Sequence, residues 1–106
     1  MAIPKRPNEA LNDSSLPSGL TQAEKTVATA GIAEALASAT SIKAVTVRAL
    51  TGNTNNIFVG GSDVDSSNGF ILAAGDTASF EIDDLANVFL DVTTDGEGAR
   101  YIAVLA

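Results

Sequence analysis

Cysteine, histidine and tryptophan are all absent from this chain, and each absence closes off a class of chemistry. Without cysteine there is no disulfide framework, no thiolate metal cage and no thiol nucleophile. Without histidine the commonest general base and transition-metal ligand is missing, so Ser–His and Cys–His arrangements are ruled out. Aromatic side chains number four Phe and one Tyr, all of them after residue 41. Proline is confined to Pro4, Pro7 and Pro17. Positive charge is sparse as well, with six Lys and Arg against thirteen Asp and Glu, a net charge of −7. Such a chain repels phosphate backbones, which argues against direct nucleic-acid binding. No run approaches the roughly 18 apolar residues that would cross a membrane. The opening Met1–Pro7 has no apolar core behind its basic pair, so it does not read as a secretory signal. Synthesis and folding in the cytoplasm, without a membrane partner or a cofactor, are expected.

What is present divides at about residue 40. Residues 1–19 combine the three prolines with Asn, Asp and Ser, a composition suited to an extended, solvated arm. Thr21 and Glu24 have the spacing of a capping box behind Leu20, which predicts a short helix over about residues 21–38. Its two small-residue faces, one through Leu20, Ala23, Val27 and Ala30 and one through Ala28, Ile32 and Leu36, suit packing between neighbours. The expected organisation is therefore an arm with a short helix over 1–40 and a β domain over 41–106.

From Ile42 the apolar period shortens to two. Six strands are predicted: Ile42–Leu50, Asn56–Val59, Phe70–Ala74, Ala78–Ile82, Asn87–Val92 and Arg100–Leu105, separated by stretches rich in Gly, Asn and Asp. Val45, Val47 and Ala49 share one face, with Thr46 and Arg48 opposite, and Ala78, Phe80 and Ile82 share another. The last two strands are apolar on both faces. Phe89 lies opposite Val88, Leu90 and Val92, while Ile102 and Val104 lie opposite Tyr101, Ala103 and Leu105. Strands apolar on both faces are covered on both faces. A β domain of roughly 65 residues buries only about 60% of its unfolded surface and is marginal alone. With no disulfide to staple it, oligomerisation is the expected remedy, with Phe89, Ile102 and Val104 as the candidate interface.

The same half carries nine acids, and most of them fall in or beside predicted turns, where Asp and Glu hold backbone N–H groups. Catalysis by a carboxylate pair is accordingly not expected. Asp63-Val-Asp65-Ser-Ser67-Asn68-Gly69 has the alternating oxygens of a calcium loop, but the glycine falls one place late and Ala74 stands where a bidentate Glu belongs, so a plain turn is the better reading. No metal ligand is assigned.

Taken as an ordered series, Ile42–Asn53, Ile57–Gly61, Val64–Gly75, Ala78–Asp83, Asn87–Val92 and Gly96–Val104 resemble small virion proteins of tailed bacteriophages. The features that carry the likeness are a strand ending at Gly52-Asn53, a Val59-Gly60 strand, and Ser66-Ser67-Asn68-Gly69-Phe70 leading to Leu72; together the segments cover about 60 of the 106 residues. The resemblance implies a small antiparallel, jelly-roll-like β-sandwich. It also implies a structural role as a head decoration (cement) protein, a head fibre or a tail-associated module. The N-terminal 40 residues are not part of the likeness. They favour decoration, because an extended arm can lie across several shell subunits and become ordered on docking. The expectation is a non-enzymatic homotrimer on the exterior of the phage head, bound to the major capsid protein through Ile3, Pro4, Lys5, Arg6, Leu11, Leu16 and Leu20. A tail or fibre adaptor is the alternative, and a carbohydrate-binding module a further one, weakened by the scarcity of exposed aromatics.

Overall fold

A computed structural model describes residues 18–106, which form two antiparallel sheets packed face to face. The strands are β1 (Gly19–Thr26), β2 (Glu34–Ala35), β3 (Ile42–Ala49), β4 (Ile57–Gly60), β5 (Phe70–Leu72), β6 (Thr77–Glu81), β7 (Phe89–Val92) and β8 (Gly98–Leu105). One sheet has the order β1-β8-β3-β6 and the other β2-β7-β4-β5. Only the β4–β5 connection stays within a sheet, and every other link crosses to the opposite one. The antiparallel pairs β4–β5, β3–β6, β2–β7 and β1–β8 are nested one inside the next.

All six strands expected after residue 41 are present, most with ends shifted by a residue or two. The sandwich has eight strands, however, not about six, and the helix expected over residues 21–38 is absent. Residues 19–26 are instead an edge strand, paired with β8 from Gly19↔Leu105 to Thr26↔Gly98. The capping-box spacing of Thr21 and Glu24 is a local preference of modest strength. Eight consecutive cross-strand pairs, available only once β8 is in place, outweigh it. Period two also fits most of the segment, with Leu20, Gln22, Glu24 and Thr26 exposed and Gly19, Thr21 and Lys25 half-buried.

The core lies between the sheets and is built from medium and small side chains. Register explains how Ala contributes to it. Val45 stands between Phe80 and Ala103, and Val47 between Ala78 and Tyr101, so each row sets one ring against one methyl. The facing sheet supplies Ile57, Val59, Leu72, Leu90 and Val92, and Val27, Leu36, Leu85 and Val88 close the ends. A register shift between Ile42 and Ala44, with Lys43 as the extra residue, lets both Ile42 and Val45 be buried. At the open edge, inward-pointing Lys25 of β1 meets Glu34 of β2 at 2.9 Å. Inward-pointing charge of this kind discourages a further strand from adding to the edge. Full burial of one aliphatic side chain contributes about 1.5–3 kcal/mol, against about 0–1 kcal/mol for an exposed ion pair. Apolar packing therefore holds the sheets together, and the ion pair trims the edge.

Gly98 tests the β1–β8 pairing. A Cβ at this position would run into the Lys25 carbonyl oxygen and lie 2.7 Å from the Thr26 Cα. Gly98→Ala is expected to cost about 1–3 kcal/mol by overpacking. It should also raise protease cleavage within residues 19–33 before the rest of the sandwich is cut. Unchanged stability and cleavage would mean that β1 does not lie against Gly98.

Candidate functional site: the outer faces of the sandwich and a loop-end cleft

The outer face of the β2-β7-β4-β5 sheet is covered in part by the chain itself, although Ile71, opposite Phe58, stays exposed there, as do Phe70 of the same strand and Ile32 of the β1–β2 loop. Phe58 and Val64 are buried there, with Gly69 between them: a Cβ on Gly69 would meet Phe58, Val64 and the Asp65 carbonyl oxygen. The loop of residues 61–69 thus folds back over its own hairpin. Beside it, Asp91 is the one buried charged residue among those described, at 1% exposure. Its carboxylate accepts from the backbone N–H of Gly31 at 2.8 Å and of Val92 at 2.8 Å, fastening the β1–β2 loop to β7. Asp95 accepts from Ala30 N–H at 2.7 Å and holds the same loop from its other side. Phe89, on this outer face opposite Ala35 and Gly60, is half-buried.

The outer face of the β1-β8-β3-β6 sheet is different. Register lays it out in three rows: Leu20–Val104–Ala44–Glu81, Gln22–Ile102–Thr46–Ser79 and Glu24–Arg100–Arg48–Thr77. Leu20 is 59% exposed, and Ile102, on an interior strand, is 44% exposed. Leu20, Ala44, Ile102 and Val104 form an apolar patch, bordered by the Thr46–Ser79 hydroxyl pair at 2.8 Å and the charged row.

The residues expected to form one interface are therefore divided. Ile102 and Val104 share the bare face, whereas Phe89 lies on the opposite side of the sandwich. Sequence periodicity showed that both strands had two apolar faces, but not that they belong to different sheets. Leu20, expected in the arm, belongs to β1 and extends the Ile102–Val104 patch. Ile3, Pro4, Lys5, Arg6, Leu11 and Leu16 lie outside the described residues.

Most of the turn carboxylates have structural partners. Asp65 accepts from Ser67 Oγ at 2.6 Å, Ser67 N–H at 2.8 Å and Asn68 N–H at 3.2 Å, which makes the supposed calcium segment a side-chain-capped turn. Asp84 caps the 3₁₀ turn Leu85–Asn87 and receives the N–H groups of Ala86 and Thr40. Glu97 receives Thr54 N–H at 2.7 Å, Thr54 Oγ1 at 2.8 Å and Asn55 N–H at 3.3 Å. Glu34 receives Ala28 N–H and Lys25 Nζ, both at 2.9 Å. Among the described residues, no three metal-ligating side chains converge.

At the end of the sandwich where the β3–β4 and β7–β8 loops meet, a cleft of about 510 Å³ opens. Arg48 and Arg100 line it together with Leu50, Gly52, Asn53 and Glu97. Asn53 ties the two loops together through Nδ2 to the Gly98 carbonyl oxygen at 2.8 Å. Neither arginine was assigned to a site from the sequence, because their adjacency exists only once β3 and β8 are in register. No family model, curated protein or solved structure matches the chain.

The capped carboxylates set the response to acid. Donated hydrogen bonds hold all four below their ordinary values: Ala28 N–H and then Lys25 lower Glu34, Ser67 lowers Asp65, Ala86 N–H lowers Asp84, and Thr54 N–H lowers Glu97. A carboxylate whose folded pKa lies below its unfolded value stabilises the fold above that unfolded value, and stops doing so as pH falls through the folded one. The ordinary values are 4.5 for the two Glu and 3.8 for the two Asp. The melting temperature is expected to be insensitive to these groups between pH 7 and about 5.5, then to fall below about pH 4.5. Glu97→Gln should shrink that acid-side fall. A melting temperature that rises on acidification below pH 4 would contradict the capping roles.

Proposed function

We propose that the protein is a structural component of a tailed-bacteriophage virion, a decoration protein that stabilises the head shell as a homotrimer on its exterior. The observation that carries this reading is the apolar patch of Leu20, Ile102 and Val104 on the outer face of the β1-β8-β3-β6 sheet. Contiguous exposed apolar surface marks interaction sites, and two-sided strands call for a second cover. The nested strand order is that of an eight-stranded jelly roll, an architecture used by viral capsid and lectin domains. The segment-by-segment likeness to small phage virion proteins points in the same direction. Copies associate through the bare face, and residues 1–17 reach the major capsid protein from the point where the chain enters β1 beside the C-terminus. Multiple attachments per trimer then add through effective concentration.

Sedimentation of the full chain is expected to give three times the 10.7 kDa protomer mass. Leu20→Glu combined with Ile102→Glu should give a monomer with an unchanged far-UV spectrum. The trimer should raise the heat resistance of shells that lack it, and removing residues 1–17 should abolish shell binding while leaving the sandwich folded. A wild-type monomer at micromolar concentration would refute the trimer. Failure to bind shells, with binding to tail structures instead, would replace decoration by a tail or fibre role.

A further inference from the structure

The charged row of the bare face contains an arrangement that a merely solvated surface does not require. Arg48 and Arg100 stand directly opposite one another across β3 and β8. Like charges in this relation repel, and the Glu24 carboxylate beside Arg100, paired with it at 3.4 Å, offsets that repulsion only in part. Both arginines line the loop-end cleft of about 510 Å³, a volume suited to a small ligand.

Each guanidinium is also oriented from behind. Arg48 Nε donates to the Gly75 carbonyl oxygen at 3.3 Å, and Arg100 Nε donates to Glu24 Oε1 at 3.4 Å. These bonds occupy the Nε edges and leave the paired Nη groups of both forks for another acceptor. Glu97, the carboxylate of the cleft wall, is engaged by the Thr54 and Asn55 donors of the β3–β4 loop. Its charge is therefore partly offset by groups other than the arginines. Planar guanidinium forks match carboxylates in a two-bond geometry, and prior orientation lowers the entropy lost on binding. The remaining wall, Ala49–Asn53 with Gly96, contains no aromatic ring and mixes aliphatic side chains with polar ones.

We propose that this cleft binds a small organic carboxylate, with the anion bridging Arg48 and Arg100. A carboxylate between the two guanidiniums would relieve their repulsion. A polyanion is disfavoured by the net charge of −7. The site adds a ligand-binding role that does not depend on the proposed place in a virion.

The test uses the full-length protein, with amide NMR signals followed during addition of D-glucuronate and, separately, D-glucose. Saturable shifts at Thr51, Gly52 and Gly96 are expected with glucuronate and not with glucose. Arg48→Gln and Arg100→Gln should each weaken binding at least about tenfold, the scale of one lost charge-assisted pair. Both side chains are exposed, so signals from the core strands should stay in place and show that the variants are folded. Arg48→Lys, which keeps the charge but loses the fork, should also bind more weakly than the wild type. Absence of saturable shifts, equal shifts with glucose, or undiminished binding by both Gln variants would overturn the proposal.

Discussion

Everything in this sandwich depends on the alignment of β1 with β8. That pairing carries residues 19–26 alongside the last strand of the chain and brings Val27 to complete burial at the end of the core. The ladder continues past the strand ends, with Val27 N–H donating to the Glu97 carbonyl oxygen at 2.9 Å and Gly96 N–H to that of Val27 at 2.8 Å. Without β1, the inward stripe of Ala99, Tyr101 and Ala103 would lose its flanking cover, and Glu34 would lose Lys25. Leu20 would no longer extend the Ile102–Val104 patch. The edge strand thus closes the core on one side and completes an interaction surface on the other.

The core works with modest material. Few rings and many alanines would ordinarily leave voids, yet register sets Phe80 and Ala103 on opposite sides of Val45, and Tyr101 and Ala78 on opposite sides of Val47. Interiors packed to crystal-like density depend on this kind of complementarity more than on average side-chain size. The acidity of the chain has a structural use as well. Asp65, Asp76, Asp84, Asp95 and Glu97 each accept backbone N–H groups in the connections between strands. Almost every connection crosses between sheets, so a turn that lost its cap would loosen both layers.

The β-rich half was legible because its signals are local. Alternation located β3 and β6 and identified their inward residues, and Gly, Asn and Asp clusters placed the breaks. Misreading residues 21–38 has an equally definite cause. Thr21 and Glu24 resemble a helix start only to a local reading, while the partner that makes them a strand lies more than 70 residues away. Long-range register also hid three other features. It decides that Phe89 and Ile102 face opposite sides, that Arg48 and Arg100 are neighbours, and that Asp91, a plain strand residue by pattern, is buried under the β1–β2 loop. Composition could exclude chemistry; it could not say which side chains meet.

The functional reading follows from an asymmetry. A hairpin loop and two aspartates cover part of one outer face, and the other presents aliphatic side chains beside an arginine pair at the mouth of a cleft. A surface role in an assembly, with a small ligand held at the loop end, uses both features of the uncovered face. Both require β1 to be where it is. Backbone NOE measurement on the full chain addresses that placement most directly. Cross-strand NOEs joining residues 19–26 to 98–105, in the register Gln22↔Ile102 and Glu24↔Arg100, are expected. A run of i to i+3 NOEs through residues 21–38, with none reaching β8, would show a helix there and remove the basis for the edge strand, the patch and the closed core together.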